Sequence, residues 1–182
     1  MTDRRHGTAD HECLFDRAEV QRWLQDAAGE QHPRVIGDKD NNELWLWHGT
    51  KPGLGKVIAQ WGFDERVANM GGLYGAGNYF ADNSSKSHQY RGTFGLRYSD
   101  STNAAGHHCM LFCRVAMGTP YLTNETHMNQ RRPPTNPATQ GRPYDSIFAE
   151  TRVANGGRQL HNEYIVFRSS QVYPEFIIWY TV

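Results

Sequence analysis

Four short apolar segments, widely separated along the chain, constrain its fold more than any other feature. They have the length and the β-branched and aromatic content of buried strands, and they are Glu43–His48, Cys109–Met117, Glu163–Arg168 and Phe176–Val182. Helical patterns are fewer and do not alternate regularly with these segments. The sequence therefore predicts the α+β class with a largely antiparallel sheet, rather than a doubly wound parallel sheet.

Helical spacing of apolar residues occurs over 14–28 and Leu54–Trp61, and a third helix is predicted over 84–90. The second helix should end at Gly62 and should bury one apolar face, made by Leu54, Val57, Ile58 and Trp61. The third follows Asp82 and Asn83, either of which can cap it. Loops are predicted over 63–78, 91–108 and the proline-rich stretch 130–143, and a turn is predicted at 155–157.

The length and the cysteine content bound the type of protein. A chain of 182 residues fits one domain, and we expect a flank with one helix over 1–42 and a core over 43–182. Its 3 cysteines are too few for a disulfide framework. The sequence shows no apolar signal region and no membrane-spanning run. These features predict an intracellular protein, cytoplasmic or nuclear.

Charge balance and motif spacing limit the kinds of ligand and partner that we expect. The 19 basic residues balance the 19 acidic ones, so nucleic acid is not the expected partner. Histidines 107 and 108 with Cys109 and Cys113 lack the spacing of four zinc ligands, so no metal is expected. The glycines of 71–77 lie in a predicted loop without the following lysine of a phosphate-binding loop. A nucleotide would therefore be bound in another way.

Polar residues suited to chemistry stand in three separate places: His48-Gly-Thr50 at a strand end, Tyr79 to Tyr90 across a turn and helix, and Glu163 opening a strand. Each has an ordinary structural explanation when taken alone. A histidine at a strand end is more often structural than catalytic, a tyrosine there usually belongs to the core, and a glutamate is usually solvated. The three must be considered together.

Together they resemble a known family. Leu46–Thr50, then Gly75–Asp82 with Ser85-Lys-Ser87, then Asn162–Phe167 resemble the catalytic domain of the poly(ADP-ribose) polymerase family, over about 43–182. Within that family, segments such as 62–66 and 110–115 are most similar to the tankyrase branch, although the zinc ligands of that branch are missing. The resemblance implies the ADP-ribosyltransferase fold, in which two largely antiparallel sheets form an NAD cleft flanked by short helices.

The resemblance also implies a donor site for NAD, with the family's His-Tyr-Glu triad on His48, Tyr79 and Glu163. Nicotinamide is a flat cationic ring with an amide, so its pocket needs aromatic faces, here Tyr79 and Tyr90, and matched hydrogen-bond partners. By resemblance, Gly49 would bind the carboxamide through its backbone. The implied donor-site residues are His48, Gly49, Thr50, Tyr79, Phe80, Ala81, Lys86, Ser87 and Tyr90.

The resemblance implies an enzyme that releases nicotinamide and transfers ADP-ribose to protein acceptors, including itself. Cleavage builds positive charge on the ribose, which the Glu163 carboxylate would stabilise, with Lys86 nearby. In the family a glutamate at this place favours polymer formation, whereas Pro143–Ser146 and Gln171–Pro174 are similar to mono-transferring relatives. Two alternatives stay open: transfer of a single unit to protein or nucleic-acid ends, and a non-catalytic module that binds NAD or ADP-ribose.

Three positions depart from the family pattern. Val67 and Asn69 stand where the tankyrase branch has histidine and tyrosine in the loop over the donor site. Asn78 stands where the family usually has a branched aliphatic residue before the tyrosine. We expect these changes to alter contacts with the adenosine half of NAD.

Overall fold

Two β-sheets form the framework of the protein, whose computed structural model describes residues 42–88, 102–150 and 161–181. The first sheet is entirely antiparallel, in the order β1 (Glu43–Thr50), β3 (His108–Ala116), β7 (Val172–Tyr180). The second has four strands, in the order β2 (Asn78–Phe80), β6 (Glu163–Val166), β5 (Ser146–Ala149), β4 (Pro120–Thr123).

The second sheet is mixed. Strand β6 pairs antiparallel with both β2 and β5, whereas β4 and β5 are parallel. The predicted α+β class with largely antiparallel sheet is confirmed. All four predicted strands are present, with β7 beginning four residues earlier than expected at Val172. Sequence patterns missed the short strands β2, β4 and β5, which are only three or four residues long.

The main core lies between the sheets. Side chains alternate along β1, so Leu44 and Leu46 face the core together with Leu111 and Val115 of β3. The two sheets are joined at the free edge of β1, where Trp47 and Ala81 exchange backbone hydrogen bonds of 2.8 and 2.9 Å. This junction places the end of β1 beside β2.

Helix α1 (Pro52–Trp61) confirms the second helical prediction but not its buried face. The helix ends at Gly62, whose N–H donates to the Ile58 carbonyl, as expected. However, the predicted apolar face is largely in solvent: Leu54, Val57 and Trp61 are 52%, 51% and 77% exposed. The helix instead lies on the first sheet through its small residue Gly55, which packs against Cys109 of β3. Close backbone approach, rather than the apolar stripe, decides its orientation.

Helix α2 (Ser84–His88) begins at the predicted cap. Asn83 Oδ1 accepts hydrogen bonds of 2.9 Å from the Ser85 N–H and 2.6 Å from its hydroxyl. Asp82, the other candidate cap, has different partners, described below. The predicted helix over 14–28, residues 89 and 90 of the third helix, loop residues 91–101 and the turn at 155–157 lie outside the described residues.

The remaining predicted loops are largely irregular. Residues 63–77 contain one short 3₁₀ turn, Glu65–Val67, and the proline-rich stretch contains another, Pro137–Thr139. Within the described ranges, no helix is long and apolar enough to cross a bilayer.

Candidate active site

His48, near the end of β1, is held by the backbone carbonyl of Tyr79 and by two aromatic rings. Its Nδ1 donates a 2.8 Å hydrogen bond to the Tyr79 carbonyl, since a carbonyl can only accept. In the neutral ring, Nε2 then carries the lone pair and can accept a hydrogen bond from a hydroxyl group. Burial lowers the pKa of His48 below its usual 6.5, although the hydrogen bond to Tyr79 works in the other direction. Phe63 and Phe80 contact the ring at centroid distances of 4.9 and 5.4 Å.

Tyr79, the central residue of β2, is fixed at its hydroxyl by the glycine-rich loop. The hydroxyl donates to the Gly75 carbonyl at 2.7 Å and accepts from the Tyr74 N–H at 2.9 Å. Gly75 has a φ of 95°, and a Cβ there would lie 2.6 Å from the Gln130 carbonyl oxygen, so no other residue fits easily. The ring of Tyr79 thus has one fixed orientation.

Gly49 lies where β1 meets α2. A Cβ at this position would collide with the backbone of Ser87, so the close approach of the two elements requires glycine. In a strand, the N–H and C=O of residues two apart point to the same edge. Trp47 uses that edge to bond Ala81, so Gly49 presents its own N–H and C=O there, away from β3. Ser87 and Thr50 are both buried beside this edge.

Glu163, the first residue of β6, forms a buried ion pair with Lys86 of α2. The Lys86 Nζ lies 2.7 Å from the Glu163 Oε1, and the two residues are 8% and 2% exposed. Lys86 is therefore buried and paired, whereas a lysine on a helix is usually exposed to solvent. Glu163 pairs with Ala149 and alternates with Ile165, whose partner across the sheet is Tyr79. The carboxylate and the Tyr79 ring consequently share one face of the second sheet.

Asp82, next to the junction of the sheets, anchors the start of β6. Its Oδ2 accepts hydrogen bonds from the Asn162 side-chain amide at 2.8 Å and from the Tyr164 hydroxyl at 3.1 Å. Burial is the main cause of the raised pKa of Tyr164, with the Asp82 charge adding to it. This arrangement holds the two residues that flank Glu163. Sequence reasoning assigned Asp82 only a possible capping role, because nothing local marks a partner 80 residues away.

The other predicted donor-site residues divide into two groups. Phe80 is buried in the main core against His48 and Phe63, and Ala81 joins the sheets through its backbone, so both support the site from behind. Tyr90, the second expected ring face, lies outside the described residues. Sequence reasoning did not include Phe63, whose contact with His48 has no local sequence signal.

The three departures from the family pattern are also resolved. Val67 and Asn69 lie exposed on the loop between α1 and β2. Asn78 opens β2 opposite Val166, and among the residues that the structure describes its buried Nδ2 has no hydrogen-bond partner. Within the described ranges, no group of three or more histidine, cysteine or acidic side chains could hold a metal ion.

Taken together, the site offers hydrogen-bond partners for an amide, a fixed aromatic face, a hydroxyl acceptor and a carboxylate. The amide partners are the edge of Gly49 and the adjoining Ser87, and the aromatic face belongs to Tyr79. His48 Nε2 and Glu163 complete the set. Such a set can bind a flat amide-bearing ring and stabilise positive charge on an attached sugar.

Comparisons with known proteins agree with this chemistry. The family model described as "Poly(ADP-ribose) polymerase catalytic domain" matches residues 12–182. "Protein mono-ADP-ribosyltransferase PARP12" of Homo sapiens is 30% identical over 164 residues, which cover 90% of this chain and 20% of that protein. "Poly [ADP-ribose] polymerase 1" of Oryza sativa subsp. japonica is 30% identical over 195 residues, covering 95% of this chain and 19% of that protein. The chain thus spans about a fifth of the length of these relatives.

Proposed function

The chain belongs to the poly(ADP-ribose) polymerase catalytic-domain family, and from this premise we propose that it transfers ADP-ribose from NAD to protein acceptors and releases nicotinamide. The observation that carries the proposal is the buried Glu163 carboxylate, which shares a sheet face with the Tyr79 ring. A module that only binds NAD gains little from a carboxylate at this place, because charge on the ribose develops only during cleavage.

The donor would be held by the elements already described. The carboxamide of nicotinamide bonds to the N–H and C=O of Gly49 and to the Ser87 hydroxyl, and its ring lies on Tyr79. His48 accepts a hydrogen bond from a hydroxyl of the adenosine ribose through Nε2, since its Nδ1 is bonded to the Tyr79 carbonyl. Thr50 is the neighbouring hydroxyl on the same strand end.

Cleavage of the bond between nicotinamide and ribose leaves its electron pair on the nicotinamide nitrogen, and the ribose becomes cationic. Glu163 stabilises that charge by proximity, and Lys86 fixes the position of the carboxylate through their 2.7 Å contact. An acceptor oxygen or other nucleophile then attacks the same ribose carbon and loses its proton. Preorganised charge of this kind typically contributes 10²- to 10³-fold in rate, about 2.7–4 kcal/mol.

Extension of the product into a polymer is a second proposal. It is supported by the glutamate at position 163, which can also orient the hydroxyl of an ADP-ribose unit already attached. The names of the similar proteins include both mono- and poly-transferring enzymes, so similarity alone favours neither. The particular closeness to the tankyrase branch and the cytoplasmic or nuclear location remain predictions.

The test is intact-mass spectrometry after incubation with NAD, run beside a measurement of nicotinamide release. Glu163→Gln keeps an oxygen for Lys86 but removes the charge, and we expect release to fall roughly 10²- to 10³-fold. Glu125→Gln, at an exposed loop position, is the matched control and should leave release unchanged. Equal rates in wild type and Glu163→Gln would refute the catalytic role of the carboxylate.

The mass pattern separates the alternatives. Many ADP-ribose increments on the wild-type chain would support polymer formation, and one or two would support transfer of single units. Nicotinamide release without any increment would mean that the acceptor is another molecule. Binding of NAD with no release at all would overturn the proposal in favour of the binding module.

A further inference from the structure

A hydroxyl group that receives ADP-ribose must lose its proton, and neither ionisable residue of the His-Tyr-Glu triad is placed to take that proton up. Glu163 is paired with Lys86 at 2.7 Å and stabilises the charge on the ribose. His48 directs its Nε2 to a hydroxyl of the adenosine ribose, and its Nδ1 is bonded to the Tyr79 carbonyl. A further basic group is therefore needed for an acceptor that carries a proton.

The pairing of strands places β4 two strands away from the Glu163 carboxylate. Thr123 of β4 pairs with Ala149 of β5, and Ala149 pairs with Glu163. Residues directly opposite each other share a face of the sheet, so Thr123 and Glu163 lie on the face that carries Tyr79. Two strand spacings separate their backbones by roughly 10 Å. In enzymes that cleave a glycosidic bond with inversion, acting groups about 6.5–9.5 Å apart hold the nucleophile between them.

His127, in the loop after β4, is held on this face by three contacts. Its Nε2 lies 3.2 Å from Thr123 Oγ1, and its ring meets the Tyr121 ring edge-on at a centroid distance of 5.1 Å. Tyr121 packs against the same cluster of buried residues as Tyr79. The backbone N–H of His127 donates a 2.7 Å hydrogen bond to the Leu73 carbonyl in the glycine-rich loop. The position of the imidazole is thus fixed by the loop that also fixes Tyr79.

The hydrogen bonds of Thr123 decide which nitrogen of His127 carries a proton. Thr123 Oγ1 donates to the backbone carbonyl of Glu125 at 3.2 Å and accepts its backbone N–H at 3.0 Å. Because the hydroxyl proton is used in this way, His127 Nε2 donates to Oγ1, and the lone pair of the neutral ring lies on Nδ1. Among the residues that the structure describes, Nδ1 has no hydrogen-bond partner, and the half-buried residue remains partly open to solvent.

We propose that His127 Nδ1 takes the proton from the acceptor, and that the acceptors of this enzyme include alcohol hydroxyl groups. The proposal rests on the proposed function for the cleavage of NAD. The acceptor oxygen bonds to the ribose carbon that nicotinamide has left with its electron pair, and the hydroxyl proton passes to His127 and then to water. A carboxylate acceptor carries no such proton and does not need this histidine.

The experiment offers two small acceptors, methanol and azide, to the full chain in one reaction with NAD. Methanol must lose a proton, whereas azide is already an anion, and mass spectrometry quantifies methyl ADP-riboside and ADP-ribosyl azide. His127→Gln keeps an amide for Thr123 but supplies no base. His107→Gln, which removes another half-buried histidine in the loop before β3, is the matched control.

We expect the ratio of methyl to azide product to fall roughly 10²-fold in His127→Gln, since a general base usually contributes 10²- to 10⁴-fold. The azide product should form at least as fast as in the wild type, and His107→Gln should keep the wild-type ratio. Glu163→Gln should lower both products together, because it acts on cleavage of the donor.

Two results would overturn the proposal. An equal decrease of both products in His127→Gln would mean that the histidine only holds the loop in place. An unchanged rate of methyl ADP-riboside formation would exclude a part in proton transfer. Failure of the wild type to form either product would instead count against the proposed function, and this inference would fall with it.

Discussion

Charged side chains lie at the start of β6 and just beyond its end, and these two regions differ in almost every other respect. At its start, Glu163 is buried and paired with one lysine at 2.7 Å. Just beyond the end of β6, arginines from three segments line a cavity, and Asp145 is the one carboxylate among the lining residues that the structure describes. The first arrangement is neutral and closed, whereas the second is positive and open to solvent.

This difference separates two uses of charge. A buried pair has lost its water, so each partner depends on the other and the carboxylate is held in one position. Exposed arginines keep their water and depend little on each other, but their combined field attracts anions and weakens with salt. The start of β6 is thus suited to acting on a reacting centre, whereas the arginines beyond its end make the surrounding surface positive.

Removing one partner of the buried pair should have the largest effect. Lys86→Ala leaves the Glu163 charge buried without its counter-ion, and we expect the free energy of unfolding to fall by about 3–5 kcal/mol. Denaturant titration measures this loss. The double variant Lys86→Met/Glu163→Gln should recover much of it, and a loss below about 1 kcal/mol in Lys86→Ala would show that the pair is not buried as described.

The hydrogen bonds between the Tyr79 hydroxyl and the glycine-rich loop should be the next most sensitive feature. Tyr79→Phe removes the hydroxyl that bonds both Gly75 and the Tyr74 N–H, so stability should fall by about 1–3 kcal/mol. Hydrogen exchange of the Tyr74 amide should accelerate at the same time. Tyr121→Phe is the matched control from the other end of the sheet, and an equal effect of both changes would contradict this reading.

The pH dependence of the free energy of unfolding offers a third way to distinguish the two regions. Because burial lowers the pKa of His48 below 6.5, the folded state favours the neutral ring, while the unfolded chain takes up a proton below that pH. The stability due to His48 is therefore present above pH 6.5 and is lost as the pH falls, by up to about 1.4 kcal/mol per pH unit.

Unfolding curves at pH 7.5, 6.5 and 5.5 test this expectation. His48→Gln does not titrate, so its stability should fall less steeply than that of the wild type. Arginines at the open end remain charged throughout this range and should contribute no slope. Parallel pH profiles for wild type and His48→Gln would refute the assignment.

The smallest effect is expected at the cavity lined by Arg131, Arg132, Arg142 and Arg168. Arg142→Ala relieves repulsion among exposed cations, so we expect stability to change by no more than about 0.5 kcal/mol, with a slight gain at low salt. Denaturant titrations at low and high salt would show that gain disappear. A large loss in Arg142→Ala would mean that the arginines stabilise the fold rather than await an anion.

Much of the framework could be predicted from the sequence, because long buried strands are made of consecutive apolar residues. Strands β1, β3, β6 and β7 are continuous apolar runs and were found. The strands β2, β4 and β5 have too few residues to show a pattern, and they exist because β6 and its neighbours supply hydrogen-bond partners. The prediction of the buried face of α1 was wrong because close backbone contact at Gly55 outweighed the apolar stripe.

The residues of the candidate site were nominated from the sequence, whereas the contacts between them were not. The motifs around His48, Tyr79 and Glu163 are recognisable because glycines and polar residues interrupt otherwise apolar strands. The role of Asp82 in anchoring Asn162 and Tyr164, and the clustering of arginines 131, 132, 142 and 168, have no local signal. Both depend on which strands become neighbours.

What the sequence by itself determined is therefore the four long strands, the glycines that permit close approach and the residues available for chemistry. Only the tertiary structure decided that Lys86 and Glu163 meet at 2.7 Å and that the opposite end of β6 remains positive. The physical reason is that backbone pairing and burial act between residues distant in the chain. Contacts made by such pairing cannot be read from the neighbours of either residue.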